Sequence, residues 1–303
     1  MSAVMLLLRQ NLIMLLYLLI GYALFKNKLL TSTGSGELGK LLLYVVMPVA
    51  IVRSYMREYS PGLLLGLVIS FLAAAAALGL SILVSSLVFR RSNLRQFGAA
   101  FSNAGFIGIP LVQMTLGQEA VFYVASFVAL LNLLQWTYGV FILTRDKSII
   151  SAKKLLRNPI LIAFVLGLLL FFLPIRLPEA LSGMISTIAS MNGPLAMIVL
   201  GAYLAQVPLR ELVTDREAYL CSAVRLLLIP ALTVVLLLLV PAKNPSIRMA
   251  VLLAAAAPVG SNVAIFAQLY KADYRAAVKD VCLSTIFSIL TMPVIMAMAQ
   301  AIW

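Results

Sequence analysis

Ten uncharged, largely apolar stretches follow one another along this chain, and the short connectors between them carry almost all of its charge. They are Gln10–Phe25, Leu41–Val52, Tyr59–Phe89, Gln96–Gln118, Ala120–Thr144, Asn158–Ile175, Ala180–Leu209, Leu226–Ala242, Met249–Tyr270 and Val281–Trp303. A helix needs about 20 mostly apolar residues, within a range of about 17–25, to cross the hydrocarbon of a bilayer. Leu41–Val52 is short, and Lys40 and Arg53 at its ends are expected to snorkel and lengthen it. Leu226–Ala242 extends backwards through Arg225 to Ala218. With 63% of its side chains hydrophobic and 11% charged, the chain has too much apolar surface for one water-soluble core, since soluble domains are about 45–50% apolar and about 25% charged. The sequence therefore predicts an all-α integral membrane protein of ten transmembrane helices. No small-residue cleavage site precedes Lys26, so the first run is expected to remain as a span.

The connectors orient these spans. Sixteen Lys and Arg fall on the odd-numbered connectors and six on the even side, with Arg225 inside a span. The positive-inside rule then places the odd connectors in the cytoplasm and both termini outside, in a multi-pass protein of the inner (cytoplasmic) membrane. The net charge of +13 is thus a matter of sidedness and implies no nucleic-acid partner. Histidine is absent, which excludes Ser–His and Cys–His catalysis and zinc sites built on His. Cys221 and Cys282 lie in apolar runs without metal-ligand spacing and read as unpaired buried thiols. No metal or cofactor is implied.

The most charged connector, 145–157, divides the chain into a first five-helix unit over 1–144 and a second over 158–303. Five spans per half force the second half to be inverted relative to the first. The halves also echo each other: Pro48 in span two and Pro194 in span seven are 146 residues apart. Polar interruptions containing Gly and Pro occur in span four, from Asn103 to Pro110, and in span nine, from Pro258 to Asn262. Proline removes a backbone donor and clashes with the carbonyl four residues back, while glycine permits non-helical dihedrals. Two inverted repeats with paired broken helices are the sequence pointer to a secondary transporter's binding site. Half-helix N-termini created at such breaks carry a partial positive charge that suits an anion. The candidate substrate-binding residues are accordingly Asn103, Gly105, Gly108 and Pro110 with Pro258, Gly260, Ser261 and Asn262, and Ser102 beside them.

All ten acidic residues are read in connectors or at span ends. Cation transporters typically hold their ion on intramembrane carboxylates, so an anionic or neutral substrate is favoured. Asn132, Gln135 and Tyr138 lie three residues apart on span five, broadly on one face. They either line the cavity or hydrogen-bond between helices. Arg225 is either a counter-charge for substrate or a side chain that snorkels or caps the carbonyls of a neighbouring helix. Asn192, before Gly193-Pro194, reads as a helix-start polar group or as a contribution to the site. Gly62 and Gly66 form a small-xxx-small packing pair.

At these residues the sequence resembles the auxin efflux carrier family, which includes plant PIN-type auxin exporters and bacterial malate and malonate permeases. The strings that carry the resemblance run through most of the chain: Asn103-Ala-Gly-Phe-Ile-Gly-Ile-Pro-Leu111, Leu134-Gln-Trp-Thr-Tyr138, Arg157-Asn158-Pro159, Gly193-Pro-Leu-Ala-Met-Ile-Val-Leu-Gly201, Val224-Arg-Leu-Leu-Leu-Ile-Pro-Ala231 and Ala256-Ala-Pro-Val-Gly-Ser-Asn262 with Gln268-Leu-Tyr270. The resemblance implies a fold of the PIN and bile-acid-symporter kind in which spans four and nine cross. Spans three to five and eight to ten would form a mobile transport domain, and spans one, two, six and seven a scaffold through which family members form homodimers. Substrate would sit at the crossover in an elevator-type cycle. Two departures stand out. The connector at 145–157 is far shorter than the plant loop, so the chain looks like the compact bacterial type. The third span also lacks the carboxylate that plant members carry.

The expected function is a secondary transporter of small organic anions, mono- or dicarboxylates such as malate, malonate or auxin-like acids, working by alternating access. The alternatives are a transporter of neutral or aromatic compounds on the same fold, or a membrane receptor that binds without moving its ligand. An intramembrane enzyme is disfavoured, because no histidine, mid-span acid or Gly-x-Ser-x-Gly string supplies a nucleophile or base.

Overall fold

The computed structural model describes residues 3–146, 153, 156–173, 177–206, 208 and 214–303. Most of the basic connector 145–157 lies outside the described residues, as do Arg176, Arg210 and Glu211. The described chain is helical, and its one β-type contact is an isolated bridge. Six helices are long and apolar enough to cross a membrane: α2 (Ser32–Tyr55), α3 (Pro61–Val88), α6 (Glu119–Thr144), α8 (Glu179–Leu204), α9 (Arg216–Leu239) and α12 (Tyr274–Ile302). The remaining elements are α1 (Ala3–Lys26), α4 (Asn93–Ala100), α5 (Ala104–Leu116), α7 (Pro159–Phe172), α10 (Pro245–Ala256) and α11 (Asn262–Leu269). Four shorter apolar helices, over 12–26, 104–116, 159–172 and 245–256, stand where the sequence places spans one, four, six and nine.

Helix starts follow from side chains on the polar connectors. Ser60 Oγ accepts from Leu63 N at 3.2 Å ahead of Pro61, and Asn158 Oδ1 accepts from Ile160 N at 2.9 Å ahead of Pro159. Asp215 and Asp273 cap α9 and α12 in the same way. Each satisfies one of the N–H groups that a first turn leaves without an intrahelical partner. Span two reaches its length differently from expectation. Thr31 caps a helix that starts at Ser32, so the apolar run is extended by a polar first half, and Arg53 bonds Ser186 Oγ at 2.9 Å instead of snorkelling freely. Three wide π-helical turns, Leu42–Val46, Ala104–Gly108 and Val224–Leu228, immediately precede Pro48, Pro110 and Pro230. Proline supplies no N–H and crowds the preceding turn, and a widened turn relieves both.

α1, α2, α7 and α8 pack on one another, while α3 to α6 pack with α9 to α12. α1 and α8 touch backbone to backbone: a Cβ on Gly21 would fall 1.9 Å from Ile198 O, and one on Gly201 would fall 1.9 Å from Leu18 O. Membrane helices rely on such small residues for close approach, since lipid supplies no hydrophobic drive between them. Gly66 meets the Tyr123 ring while Gly62 faces open space, so the small-residue pair in α3 packs at one member only. α10 is the innermost helix, with Ile247 to Ala256 all buried. Large apolar side chains stay exposed on the outer helices, among them Leu12, Leu16 and Ile20 of α1, Leu65 and Leu72 of α3, and Val165 and Leu169 of α7, as a lipid-facing surface requires.

Candidate functional site

The interruption expected from Pro258 to Asn262 is a break in the helix. In span four the break falls at residues 101–103, and the rest of the expected interruption from Asn103 to Pro110, with Gly105, Gly108 and Pro110, is helical because a widened turn accommodates the proline. The two breaks meet. Helix α4 ends at Ala100 and α5 starts at Ala104; α10 ends at Ala256 and α11 starts at Asn262. Between them Ser102 and Val259 form an antiparallel bridge. Asn103 N donates to Pro258 O at 2.7 Å, and Gly260 N donates to Phe101 O at 3.0 Å. Each break thus satisfies polar backbone freed by the other, which non-helical backbone at membrane depth demands. The approach is tight: a Cβ on Gly260 would sit 3.1 Å from Ser102 O. Ser284 of α12 fixes the second break by accepting from Val259 N at 3.1 Å.

Four half-helix ends converge here. The carbonyl end of α4 is held by Arg225, fully buried on α9, whose Nη1 donates to Ala99 O and Ser81 Oγ, both at 2.9 Å. Ser81 of α3 donates to Ala100 O at 2.8 Å. Arg225 therefore caps carbonyls of a neighbouring helix, and its guanidinium lies directly behind the break. The amino end of α5 has no side-chain cap, so the positive end of its dipole is turned to the crossover.

Ser102, Asn103 and Ser261 are buried at the breaks. Asn262 Nδ2 donates to Gln135 Oε1 at 3.1 Å, which joins α11 to the π-helical turn Gln135–Gly139 of α6. Gly105 is pressed by Met47 of α2: an added Cβ would lie 2.3 Å from Met47 Cε. Pro110 lies against Gly193 of α8, whose Cβ would be 3.3 Å from Pro110 Cβ, and Asn192 is fully buried beside that contact. Gly108 packs on Ala254 of α10.

Several buried polar atoms in this region have no partner among the described residues: Ser102 Oγ, Asn103 Nδ2, Gln135 Nε2, Ser261 Oγ and both amide atoms of Asn192. Leaving such a group unsatisfied costs about 1–3 kcal/mol each. Three of them are amide N–H donors with no acceptor.

Two candidates point elsewhere. Asn132 Nδ2 donates to Val128 O at 2.9 Å in its own helix, the outcome that intrahelical carbonyls make available to any short amide. Tyr138 Oη accepts from Gln96 Nε2 at 3.2 Å, drawn towards α4. One acid is also deeper than its sequence position suggests. Asp280, read as a span-end residue, is fully buried because α12 starts at Tyr274; its Oδ1 lies 3.6 Å from Arg95 Nε. Arg95 also pairs with Asp215 at 3.1 Å and with Glu217, tying α4, α9 and α12 together next to the break. Nothing in the local pattern signalled this network, since its members lie in three different connectors. Cys221 and Cys282 are buried free thiols, as read.

The family model for "Membrane transport protein" matches residues 7–148 and 143–296. The chain belongs to this membrane transport protein family. It is the auxin efflux carrier family of the sequence resemblance, and membership agrees with the reading of the chain as a transporter and not an enzyme. The chain is also 25% identical over 209 residues to a protein of Rhizobium meliloti (strain 1021) named "Putative malonate transporter", a match covering 66% of this chain and 65% of that protein, short of two thirds of the relative's length.

Proposed function

We propose that the protein is a secondary transporter of small organic anions, mono- or dicarboxylates, which it binds at the crossover of the two breaks. The observation that carries this reading is the set of buried, partnerless donors at Asn103, Gln135 and Asn192 with the hydroxyls of Ser102 and Ser261. Amide N–H groups without acceptors call for a ligand rich in acceptors, and a carboxylate offers about four lone-pair sites. The uncapped start of α5 and the Arg225 guanidinium behind α4 add positive potential. The malonate assignment of the relative points to the same class.

In this reading the ten apolar segments form two inverted five-helix repeats over 1–144 and 158–303, with both termini outside. Helices α3 to α6 and α9 to α12 would carry the crossover as an elevator past α1, α2, α7 and α8. The packing of Met47 on Gly105 and of Gly193 on Pro110 supports a sliding boundary that would run against the site. Homodimers would form through the outer faces of α1, α2, α7 and α8.

Uptake of labelled malate, malonate and indole acetate into proteoliposomes tests the assignment. Asn103→Ala and Asn262→Ala are each expected to cut transport at least tenfold, since a hydrogen bond to a charged group is worth about 1.5–3 kcal/mol. Unchanged transport of every substrate in both variants would remove the crossover from the mechanism. The amide analogue of a transported acid should fail to compete.

A further inference from the structure

We propose a second oxyanion site in a cavity at the far end of α5 and α10 from the crossover. The cavity has a volume of about 340 Å3 and is lined by Thr115, Ser246, Arg248, Met249, Gln300 and Trp303, among others. That volume falls at the lower end of the about 300–1,000 Å3 typical of small-molecule sites.

Arg248 gives the cavity its chemistry. It is 6% exposed. Its Nε donates to Val240 O at 2.9 Å, and Nη2 bonds Val240 O and Leu238 O. Its guanidinium carbon stands 5.6 Å from the centre of the Trp303 ring. Nη1 has no partner among the described residues, and no carboxylate there pairs with this arginine. The sequence offers none nearby, since no Asp or Glu occurs between Pro241 and Ala272, and Glu119, just beyond α5, is held by Arg57 at 3.2 Å. A buried charge is ordinarily paired. Here an anion entering the cavity completes the pair, its oxygens meeting Nη1 and the polar groups of Ser246 and Gln300, while Met249 and Trp303 cover an apolar skeleton.

The site is distinct from the crossover. Arg248 precedes Pro258 by ten residues along α10 and the break that follows it, about 15 Å of helix at 1.5 Å per residue. Both α5 and α10 lead from the cavity to the breaks. With the sidedness set by the basic connectors the cavity opens outwards, so it would concentrate an oxyanion ahead of the crossover. That role rests on the transport reading; the binding does not.

Trp303 reports on the cavity, and Trp136 is the other tryptophan. In a Trp136→Phe background, malonate and inorganic phosphate are titrated against the fluorescence of Trp303 in nanodiscs of zwitterionic lipid. A saturable change is expected for malonate, with the half-saturation concentration raised at least tenfold by Arg248→Gln. Gln300→Glu should do the same with Arg248 and its carbonyl bonds intact, which separates loss of binding from loss of folding. The pair Asn103→Ala, Asn262→Ala should leave the response in place. A response that ignores both cavity substitutions, that disappears with the crossover pair, or that never saturates overturns the proposal. A Trp303 change that requires Arg248 but appears with anionic lipid and is not displaced by malonate assigns the oxyanion to a lipid phosphate. If instead the crossover pair transports normally while the Arg248-dependent response persists, the crossover reading falls and this one stands.

Discussion

Arginine is expensive in a membrane interior, and this chain uses it at three buried positions for three ends. Arg225 donates to Ala99 O at 2.9 Å and Ala100 O at 3.4 Å, carbonyls that the break in span four strands at membrane depth. Replacing it with Gln removes a charged donor to two carbonyls and is expected to cost about 2–4 kcal/mol, read as a lowered Tm in detergent. Arg225→Lys should recover part of that loss, whereas a direct substrate counter-charge would instead show a transport defect at unchanged Tm. Arg95 neutralises Asp280. Arg95→Leu strands a fully buried carboxylate and should destabilise by about 3–5 kcal/mol, while adding Asp280→Leu should restore part of it, because an apolar pair replaces the buried ion pair at little cost and only the more exposed Asp215 and Glu217 still lack their partner. A double variant as unstable as the single one would show that Asp280 does not depend on Arg95. The sequence leaves Arg225 between a substrate counter-charge and a cap or snorkelling side chain and does not reveal the Arg95–Asp280 pair, since a lone charge shows its type and not its partner.

At the scale of elements, the two breaks act as one object. The second break was legible in Pro258 and Gly260, which act locally on their own turn, while the first falls at residues 101–103, just ahead of the Gly105, Gly108 and Pro110 that pointed to it. That Ser102 would bridge Val259, and that Ser284 would hold the second break, was not legible, since those contacts join residues more than a hundred positions apart or lie on a third helix. Gly260→Ala places a methyl 3.1 Å from Ser102 O, so the backbone of the facing break must give by a few tenths of an ångström. It is expected to lower transport strongly while costing only about 1–3 kcal/mol of stability, read as a modest fall in Tm. At the α1–α8 contact, Gly201→Val drives a side chain into the carbonyl of Leu18. Failure to assemble, seen as aggregation in size-exclusion chromatography, is the expected result; a monodisperse, active variant would contradict the backbone-to-backbone packing.

For the whole molecule, sidedness makes the sharpest prediction. Both native cysteines are buried, so introduced cysteines can be labelled with little background. Glu119→Cys and Lys243→Cys should react with an impermeant maleimide added outside intact cells, and Arg91→Cys only after permeabilisation. Labelling of Arg91→Cys from outside would reverse the topology. Thr115, Ser246 and Trp303 share the wall of the cavity, so the end of α5, the start of α10 and the end of α12 stand on one face, which supports the proposed topology.

The chain by itself determined the solvent it folds in, its helical class, the places where two spans fail and the charge bias of its connectors. Each is a local or additive property, set by how many apolar residues lie in a row, where proline removes an N–H, or how many basic residues stand between spans. Only the tertiary structure decided that the breaks pair with each other, that Asn262 reaches Gln135 while Asn132 turns back to its own helix, and that Arg248 lines a cavity with no acid among the described residues to meet it. Those outcomes depend on which buried polar groups find partners across helices, a choice made by packing among distant residues after the helices have formed.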